Sequence, residues 1–252
     1  MAYQLLKGKK GIISGALDEN SIAWKIAQRA HEEGATFTLT NAPIAMRMGE
    51  INKLAEATGA KIIGADATSI EDLENLYDES MEYLGGPVDF VLHSIGMSTN
   101  IRKGREYGDL NYDWFMKSLD VSALSFHKMM QVAQKKDAIA QGGSVVALSY
   151  IAAQRSFPDY TDMAQAKAML ESIARSYGYH YGKSKGVRVN TVSQSPTKTT
   201  AGTGISGFNA FYEYANSMSP LGNATADDCA DYVISLFSDL TRKVTMQNLF
   251  HD

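Results

Sequence analysis

Short apolar segments alternate along this chain with longer segments in which apolar residues recur every three or four positions. Apolar runs of about four to eight residues between turn-forming residues predict strands, whereas the three-to-four spacing predicts helices. The predicted strands cover residues 10–14, 36–40, 61–64, 88–93, 144–148, 187–192 and 244–250. The predicted helices cover residues 21–33, 44–58, 70–83, 114–134, 160–181 and 226–237.

This alternation of strands and helices predicts the fold class. It is typical of a doubly wound α/β domain, here with about seven parallel strands and with helices on both faces of the sheet. The strands are nearly continuous apolar runs, as burial on both faces requires. No internal repeat or linker divides the sequence, so we expect residues 1–252 to form one Rossmann-like domain. Ligands of such domains bind beyond the carboxyl ends of the strands.

Composition narrows the class of protein further. The 252 residues carry a formal net charge of −4, so no global basic field points to a nucleic acid partner. No run of about 18 or more apolar residues suggests a membrane span, and the N-terminus has no apolar signal segment. The single cysteine excludes an internal disulfide, and the five histidines are too scattered to suggest a metal site. We therefore expect a cytoplasmic protein that binds no metal, membrane or nucleic acid.

The turn after the first predicted strand could bind a phosphate. Gly15 permits a tight turn, and the start of the next helix, near Ser21 and Ile22, offers free backbone N–H groups. The usual G-x-G-x-x-G motif is absent. The same residues also fit an ordinary strand-to-helix turn in which Ser21 caps the helix. Both interpretations are open at this point.

Polar and small residues after other strands favour a dinucleotide site. Asp66 follows the third strand, where a carboxylate can accept a hydrogen bond from an adenine amine. Residues 94–96 follow the fourth strand, where a small residue lets the backbone approach a ribose. Pro196 and Thr197 follow the sixth strand, in a position that suits a nicotinamide amide and a phosphate. Because these strand ends meet at one edge of the sheet, they predict one binding site.

The end of the second strand bears on the choice of dinucleotide. A carboxylate there would hold a ribose 2′-hydroxyl, and an arginine would accept a 2′-phosphate. The segment Asn41-Ala42-Pro43 offers neither. The lack of a positive charge favours NADH slightly, and NADPH stays open as an alternative.

Tyr160 and Lys167 carry the candidate chemistry. Their spacing of seven residues corresponds to about two helical turns, which would place both side chains on one face about 10.5 Å apart along the axis. A lysine in that position can hold a ribose and lower the proton affinity of the tyrosine. The alternative is a tyrosine packed by its ring beside a solvated lysine.

Several short segments of the chain together resemble one family. They are Gly15-x5-Ser21-Ile22-Ala23, His93-Ser94-Ile95-Gly96, Ser149-Tyr150, Tyr160-x6-Lys167, Gly186-Val187-Arg188-Val189-Asn190 and Pro196-x2-Thr199. With them the chain resembles the bacterial enoyl-acyl-carrier-protein reductases of fatty-acid synthesis over almost its whole length. That family is a divergent branch of the short-chain dehydrogenase/reductase superfamily, whose ordinary members have three residues between the tyrosine and the lysine instead of six.

The resemblance implies a reaction and a division of roles. The reaction is reduction of the trans-2 double bond of an enoyl thioester on acyl carrier protein, by hydride transfer from NADH. Tyr160 would donate a hydrogen bond to the thioester carbonyl and stabilise the enolate that forms as hydride reaches the β-carbon. Lys167 would bind the nicotinamide ribose. Tyr150 would line the acyl pocket and assist Tyr160.

The resemblance also implies the residues that contact each ligand. The dinucleotide would contact Gly15, Ser21, Ile22, Asp66, Ala67, Ser94, Ile95, Gly96, Lys167, Pro196, Thr197 and Thr199. The acyl thioester would contact Met97, Tyr150, Tyr160, Met163, Phe208 and Tyr212. The last two belong to a substrate-binding loop and helix inserted near residues 197–218.

The family forms homotetramers, so the resemblance implies the same assembly here. The predicted helices over residues 114–134 and 160–181 are the candidates for a shared interface. Apolar residues on more than one stripe of the first helix support this expectation, namely Phe126, Met129 and Met130 beside Leu119 and Val121.

The sequence departs from the family at three places, one of which concerns the surface that would dock the carrier protein. Members often have basic residues in the helix after the loop, which could meet an acidic carrier protein, whereas residues 207–214 have none. Arg102, Lys103 and Arg105 form an alternative basic patch. Ser195 stands where members commonly have glycine, and members usually continue beyond the position of Asp252.

Two other functions compete with enoyl reduction. A carbonyl or alcohol reductase of the same superfamily would share the fold, but the six residues between Tyr160 and Lys167 argue against it. A non-catalytic regulator that binds a dinucleotide would be expected to lack one of these two residues, and both are present.

Overall fold

In the computed structural model, which describes residues 2–203 and 207–251, seven strands form one sheet. They are β1 (Lys10–Ser14), β2 (Thr36–Thr40), β3 (Lys61–Ile62), β4 (Val88–His93), β5 (Ile139–Ser149), β6 (Arg188–Gln194) and β7 (Asn248–His251). Their order is β3-β2-β1-β4-β5-β6-β7, and every neighbouring pair is parallel. The strand order reverses between β1 and β4, which is where a doubly wound sheet opens a crevice for ligands. The predicted doubly wound α/β fold is confirmed.

Helices connect the strands and cover both faces of the sheet. They are α1 (Ile22–Glu32), α2 (Pro43–Met48), α3 (Ile51–Thr58), α4 (Ile70–Leu84), α5 (Thr99–Arg102), α6 (Tyr112–Leu119), α7 (Ser125–Lys135), α8 (Thr161–Lys185), α9 (Thr200–Thr203), α10 (Phe208–Met218) and α11 (Ala226–Phe237). The loop and helix expected near residues 197–218 correspond to α9 and α10, and residues 204–206 lie outside the described residues.

The core forms two layers because successive residues of a strand point to opposite faces of the sheet. Ile13 contributes to the layer beneath α1, α3 and α11, whereas its neighbour Ile12 contributes to the layer beneath α4, α7 and α8. In the first layer, the rings of Phe90 on β4 and Phe237 on α11 stack with their centroids 4.6 Å apart. Burial on both faces explains why the adjacent residues Ile12 and Ile13 of β1 are both apolar, without alternation.

The predicted helix over residues 44–58 is wrong in one respect, because the chain forms two helices there. Helix α2 ends at Met48 and α3 begins at Ile51. Between them, Gly49 lies so close to the turn after β1 that a β-carbon would stand 2.6 Å from the carbonyl oxygen of Leu17. The backbone N–H of Glu50 donates to the same oxygen at 2.8 Å. A tertiary contact therefore interrupts an otherwise continuous helical pattern.

Strands β3, β5, β6 and β7 also have bounds that differ from prediction. Strand β3 ends at Ile62 rather than at residue 64, and β6 runs from Arg188 to Gln194 rather than from residue 187 to 192. Strand β5 begins at Ile139 rather than at residue 144, because it continues through a glycine pair, where Gly142 has φ of +76°. Strand β7 begins at Asn248 rather than at residue 244. The carboxyl ends of β5 and β6, which border the site described below, lie within two residues of their predicted positions.

The two long predicted helices are modified near the site. The first runs from α6 to α7 through a π-helical turn at Asp120–Leu124. The second, α8, begins at Thr161 and ends at Lys185, so Tyr160 belongs to a short 3₁₀ turn that precedes it. The expectation that Tyr160 and Lys167 share one helix is therefore wrong, because the helix starts one residue later.

The apolar residues that suggested a tetramer interface have another role. Phe126, Met129 and Met130 are buried in the core of the protomer, while Leu119 and Val121 are partly buried. Exposed apolar side chains of the same region are Met116 on α6, Leu124 in the π-helical turn and Tyr179 on α8. In the part of the chain that the structure describes, no helix has both the length and the hydropathy needed to cross a membrane.

Candidate active site

A cleft of about 710 Å³ opens beyond the carboxyl ends of β1, β4, β5 and β6. It brings together most of the residues that the sequence predicted for the site. Those that line it are Gly15, Ser21, Ile22, Ser94, Ile95, Gly96, Met97, Tyr150, Tyr160, Met163, Lys167, Pro196, Thr197, Thr199 and Phe208. The parallel topology explains this convergence, because all of these strands end at the same edge of the sheet.

Gly15 brings the turn after β1 against the end of β4. Its φ is +92°, and a β-carbon at this position would stand 1.9 Å from the carbonyl oxygen of Ser94. Its backbone N–H donates to the carbonyl oxygen of Thr40 on β2 at 3.1 Å. Only glycine combines this backbone conformation with so close an approach. The turn therefore begins in the position required of a dinucleotide-binding loop.

Ser21 precedes α1, but its side chain does not cap the helix. The Ser21 hydroxyl donates to the carbonyl oxygen of Asp18 at 2.7 Å and accepts from the backbone N–H of Leu17 at 3.2 Å. No acidic side chain lies in the first turn of α1. The helix N-terminus thus retains backbone donors and a positive dipole end that suit a phosphate. Of the two interpretations of this turn, the geometry favours the phosphate site.

Asp66 and Ala67 line a second, smaller cavity of about 60 Å³. This cavity shares Asn41 and Ile95 with the main cleft, so the two spaces adjoin. The carboxylate of Asp66 accepts hydrogen bonds from the backbone N–H and the hydroxyl of Thr68, at 2.9 and 2.8 Å. These bonds fix its orientation at the end of the cavity next to β3.

The end of β2 carries no cation into the cleft. Asn41 lines it, and its side-chain amide donates to the carbonyl oxygen of Ala16 at 3.0 Å. Arg47 is exposed on α2 and is not among the lining residues. Among the described residues of the lining, the basic ones are Arg102 and Lys167.

Lys167 is buried at the base of the cleft. Its ammonium group donates to the carbonyl oxygen of Leu148 on β5 at 2.7 Å. Burial lowers the pKa of Lys167 to about 8, while the negative charge of Glu171 opposes this shift. Glu171, which is also buried, accepts from the hydroxyl of Ser149 at 2.7 Å and from the amide of Gln154 at 3.2 Å. The lysine is therefore oriented by β5 and electrostatically supported by the next turn of α8.

Burial raises the pKa of Tyr160 well above that of an ordinary tyrosine. The expectation that Lys167 lowers the proton affinity of Tyr160 is therefore wrong, because the pKa shift is upward and its cause is burial. A high pKa keeps the hydroxyl protonated at neutral pH. Tyr160 can then act as a hydrogen-bond donor, which is the role that an oxyanion requires.

Aromatic rings surround Tyr160 and form an apolar wall. The ring centroid of Tyr150 is 4.8 Å from that of Tyr160 and 5.7 Å from that of Phe157. Phe211 on α10 contacts Phe157 edge-on, with the centroids 4.9 Å apart. Sequence reasoning did not identify Phe157 or Phe211, although Phe211 lies one helical turn after Phe208.

Tyr212 is the predicted substrate residue that does not line the cleft. Its ring packs against Phe208, with the centroids 5.9 Å apart. The ammonium group of Lys198 lies 4.3 Å from the centre of the same ring, within the range of a cation–π interaction. Tyr212 therefore connects α10 to the loop after β6, and Phe211 provides the aromatic surface that faces the cleft.

The π-helical turn between α6 and α7 fixes the wall that contains Met97. The backbone N–H of Met97 donates to the hydroxyl of Ser122 at 3.0 Å, and this hydroxyl lies 3.2 Å from the carbonyl oxygen of Met97. It also lies 3.5 Å from the sulfur of Met163. Turns of this type often occur at functional sites, but the helical period of the sequence does not reveal them.

Comparisons with known proteins agree with this geometry. The family model described as Enoyl-(Acyl carrier protein) reductase matches residues 15–252. The NADH-type enoyl-acyl-carrier-protein reductase FabI of Rickettsia bellii is 36% identical over 248 residues, which cover 97% of this chain and 92% of the relative.

Solved structures are similar over the same length. The FabI–NADH complex from Alistipes finegoldii is 66% identical with a TM-score of 0.98, and the match covers 99% of this chain and 88% of that chain. The Bacillus cereus enoyl-acyl carrier protein reductase with NADP+ and indole naphthyridinone is 28% identical with a TM-score of 0.92, covering 100% and 97%. The chain therefore belongs to the enoyl-acyl-carrier-protein reductase family.

Proposed function

We propose that this protein reduces the trans-2 double bond of an enoyl thioester on acyl carrier protein, in type II fatty-acid synthesis, with NADH as the hydride donor. The observation that carries the proposal is the position of Tyr160 and Lys167 in one cleft, with Tyr160 against Tyr150 and the apolar wall. Membership of the enoyl-acyl-carrier-protein reductase family over residues 15–252 supports the same reaction.

The residues of the cleft fit a nicotinamide dinucleotide. The N-terminus of α1, with Ser21 and Ile22, suits the pyrophosphate because its first turn contains no acidic side chain. Gly96 leaves space beside Lys167, since a β-carbon there would stand 3.7 Å from the lysine nitrogen and 3.3 Å from the terminal carbon of Met163. A nicotinamide ribose at this position can accept a hydrogen bond from Lys167.

The adjoining parts of the cleft suit the two ends of the dinucleotide. Asp66 and Ala67 border the small cavity that adjoins the cleft next to β3, so the adenine end of the dinucleotide would lie on this side. Pro196, Thr197 and Thr199 lie after β6, on the side where the nicotinamide amide would lie. When bound, the reduced dinucleotide supplies the hydride that reaches the β-carbon of the substrate.

Tyr160 stabilises the charge that develops on the substrate. Its hydroxyl donates a hydrogen bond to the thioester carbonyl oxygen, and the bond becomes stronger as that oxygen gains enolate character. The raised pKa of Tyr160 keeps the donor protonated at neutral pH. Tyr150 and Phe211 exclude water on the acyl side, and Met97, Met163 and Phe208 complete the apolar lining.

One assay tests the reaction directly. Loss of the absorbance of the reduced cofactor is measured with a crotonyl thioester and, separately, with an acetoacetyl thioester. The proposal requires rapid oxidation of NADH with the crotonyl compound and little with the acetoacetyl compound. The reverse order would identify a carbonyl reductase, and activity with neither would indicate a dinucleotide-binding protein without this chemistry.

We also propose that the protein is a cytoplasmic homotetramer that meets its substrate on acyl carrier protein. Met116 on α6, Leu124 in the π-helical turn and Tyr179 on α8 are exposed apolar side chains, and a second protomer would cover them in the proposed assembly. A single cysteine, Cys229, which is buried and free, is compatible with a reducing compartment.

A further inference from the structure

A buried carboxylate lies two residues after Tyr160. Asp162, in the first turn of α8, has no solvent exposure. In the part of the chain that the structure describes, no lysine, arginine or histidine forms an ion pair with it. A buried carboxylate without a cation is costly unless hydrogen bonds compensate for the water that it has lost. Its surroundings therefore have to supply several donors.

Four side chains from three segments of the chain provide these donors. One oxygen of Asp162 accepts from the hydroxyl of Ser98 at 2.6 Å and from that of Thr161 at 3.1 Å. The other oxygen accepts from the amide of Asn100 at 2.9 Å and from the hydroxyl of Ser118 at 2.8 Å. An ionised carboxylate is purely an acceptor, so all four bonds match its hydrogen-bonding capacity.

The network joins the start of α8 to the opposite wall of the cleft. Ser98 follows Met97 in the loop after β4, and both line the cleft. The hydroxyl of Ser98 also accepts from the backbone N–H of Ile101, which fixes the start of α5. Asn100 exchanges two hydrogen bonds with the backbone of Asn111, at 3.1 and 3.0 Å, so the loop is held from a second side.

The residue between Tyr160 and Asp162 has an unusual backbone conformation. Thr161 has φ of +26° and ψ of −124°. A β-branched residue rarely adopts such a conformation, which persists only where the surrounding structure holds it. The bonds of Asp162 fix the chain on one side of Thr161. If they loosened, the backbone could relax toward an ordinary conformation, and the peptide that carries Tyr160 would rotate.

We propose that Asp162 is a positioning residue for Tyr160. Its carboxylate holds the strained turn at Thr161 and fixes the distance between the Tyr160 hydroxyl and the wall formed by Met97 and Ser98. The inference rests on the proposed role of Tyr160 as the donor to the thioester carbonyl. Catalysis is sensitive to such placement, since an error of about 1 Å can cost about 10²-fold in rate.

The first test is Asp162→Asn, which preserves the shape of the side chain but replaces one acceptor oxygen with an N–H donor. At least one of the four donors then loses its partner. We expect kcat with crotonyl thioester to fall by about 10- to 100-fold, through misplacement of Tyr160. The KM for NADH should change by less than about twofold, because Lys167 and the dinucleotide turn are untouched.

The second test is a double-mutant cycle with Tyr160→Phe, because it distinguishes positioning from general damage. If Asp162 acts through the Tyr160 hydroxyl, Asp162→Asn should lower kcat by less than about threefold in the Tyr160→Phe background. General damage to the fold would instead reduce kcat by the same factor in both backgrounds. Equal factors would overturn the inference.

Two further variants distinguish an effect on catalysis from a loss of folding. Glu33→Gln is the matched control, since Glu33 is a buried carboxylate far from the cleft that accepts backbone hydrogen bonds from Tyr3 and Leu5. Glu33→Gln should lower the melting temperature and leave kcat unchanged.

Ser118→Ala is the milder probe, because it removes one donor to Asp162 from a residue that does not line the cleft. It should lower kcat by about two- to tenfold, with the same coupling to Tyr160→Phe.

The outcomes separate this inference from the proposed function. If Tyr160→Phe is impaired while Asp162→Asn and Ser118→Ala keep full kcat, only the positioning role fails. If Tyr160→Phe itself retains full activity, the role of Tyr160 fails and the positioning role fails with it. If Asp162→Asn does not fold, the coupling of Ser118→Ala to Tyr160→Phe decides the question.

Discussion

The ammonium group of Lys167 donates a 2.7 Å hydrogen bond to the carbonyl oxygen of Leu148. This bond holds the lysine at the carboxyl end of β5 and leaves its remaining N–H groups available to a ligand in the cleft. Gly96 lies on the open side, where a side chain would approach the ammonium group. We infer from this arrangement that Lys167 binds the cofactor rather than the thioester.

Replacement of Lys167 should therefore weaken cofactor binding first. Lys167→Ala removes a charge-assisted hydrogen bond worth about 1.5–3 kcal/mol, which corresponds to a roughly 10- to 150-fold higher dissociation constant for NADH. Lys167→Arg should cause a smaller loss because a cation remains. Fluorescence titration with NADH measures both. Lys136→Ala, which removes a cation that pairs with Asp78 outside the cleft, should leave the constant unchanged, and unchanged binding in Lys167→Ala would contradict the assignment.

The pH dependence of NADH binding provides a second test of Lys167. Burial lowers its pKa to about 8, so the ammonium form predominates below that pH and the neutral amine above it. The charged form is the better donor to the ribose and is attracted by the pyrophosphate. The affinity for NADH should therefore fall as the pH rises from 7 to 9.5 through about 8. In Lys167→Arg the affinity should stay constant over this range, and a flat profile in the unmodified protein would argue against a titrating lysine.

The parts of the fold that could be predicted are the strands and helices whose own residue pattern is enough to indicate them. Residues 11–13 of β1 and 90–92 of β4 form continuous apolar runs because both faces of these strands are buried, and that pattern is visible in the sequence alone. The break at Gly49 was missed because the apolar period continues through α2 and α3. Its cause is the carbonyl oxygen of Leu17, which the chain approaches only after folding.

The residues of the candidate site also divide into those that sequence and topology indicate and those that depend on contacts between distant segments. Gly15 and Gly96 could be identified because the topology brings strand ends together whatever the detailed packing. Asp162 could not, because its partner Ser98 lies 64 residues earlier and the contact depends on how α8 packs beside the loop after β4. Tyr212 was expected in the cleft, but helical spacing alone does not distinguish it from Phe211 on the same helix.

The residues that line the cleft at the end of β2 predict a preference for NADH over NADPH. No cation follows β2 into the cleft, and Asn41 uses its amide to hold the carbonyl oxygen of Ala16. A 2′-phosphate would lack a positively charged partner there. The ratio of kcat/KM for the two cofactors measures the preference, and a higher value for NADPH would show that Arg47 or another cation reaches the phosphate. Ala42→Arg should improve NADPH use by about tenfold, whereas Ala42→Gln, a neutral side chain of comparable reach, should not.

The exposed apolar residues of the α6–α7 segment predict an assembly larger than a monomer. Met116 on α6 is 63% exposed, and a partner protomer would remove this surface from water. Light scattering at micromolar concentration should give the mass of four protomers. Met116→Lys should shift the distribution toward smaller species, whereas Leu240→Lys, at a position 71% exposed elsewhere on the molecule, should not. A monomer in the unmodified protein would contradict the tetramer.

The last prediction separates the chemistry of Tyr160 from cofactor binding. Tyr160→Phe removes the donor to the thioester carbonyl and keeps the ring that packs against Tyr150, 4.8 Å away between centroids. Loss of one oxyanion donor costs about 2.7–4 kcal/mol, so kcat should fall by roughly 10²–10³-fold. The dissociation constant for NADH should stay nearly unchanged, because in the proposed arrangement Lys167, and not the tyrosine, binds the ribose.

Single-turnover rates at saturating NADH, measured together with cofactor titrations, isolate this effect on the chemical step. Tyr83→Phe is the matched control, since it removes an exposed hydroxyl that donates to the carbonyl oxygen of Gly59 outside the cleft, and it should leave both quantities unchanged. A fall smaller than about tenfold in Tyr160→Phe would mean that Tyr150 or a water molecule supplies much of the hydrogen bond. Tyr150→Phe in the Tyr160→Phe background would then distinguish them, because only a role for Tyr150 predicts a further loss. If Tyr160→Phe instead abolished NADH binding, the tyrosine would be a cofactor ligand, and the separation of roles between Tyr160 and Lys167 would be wrong.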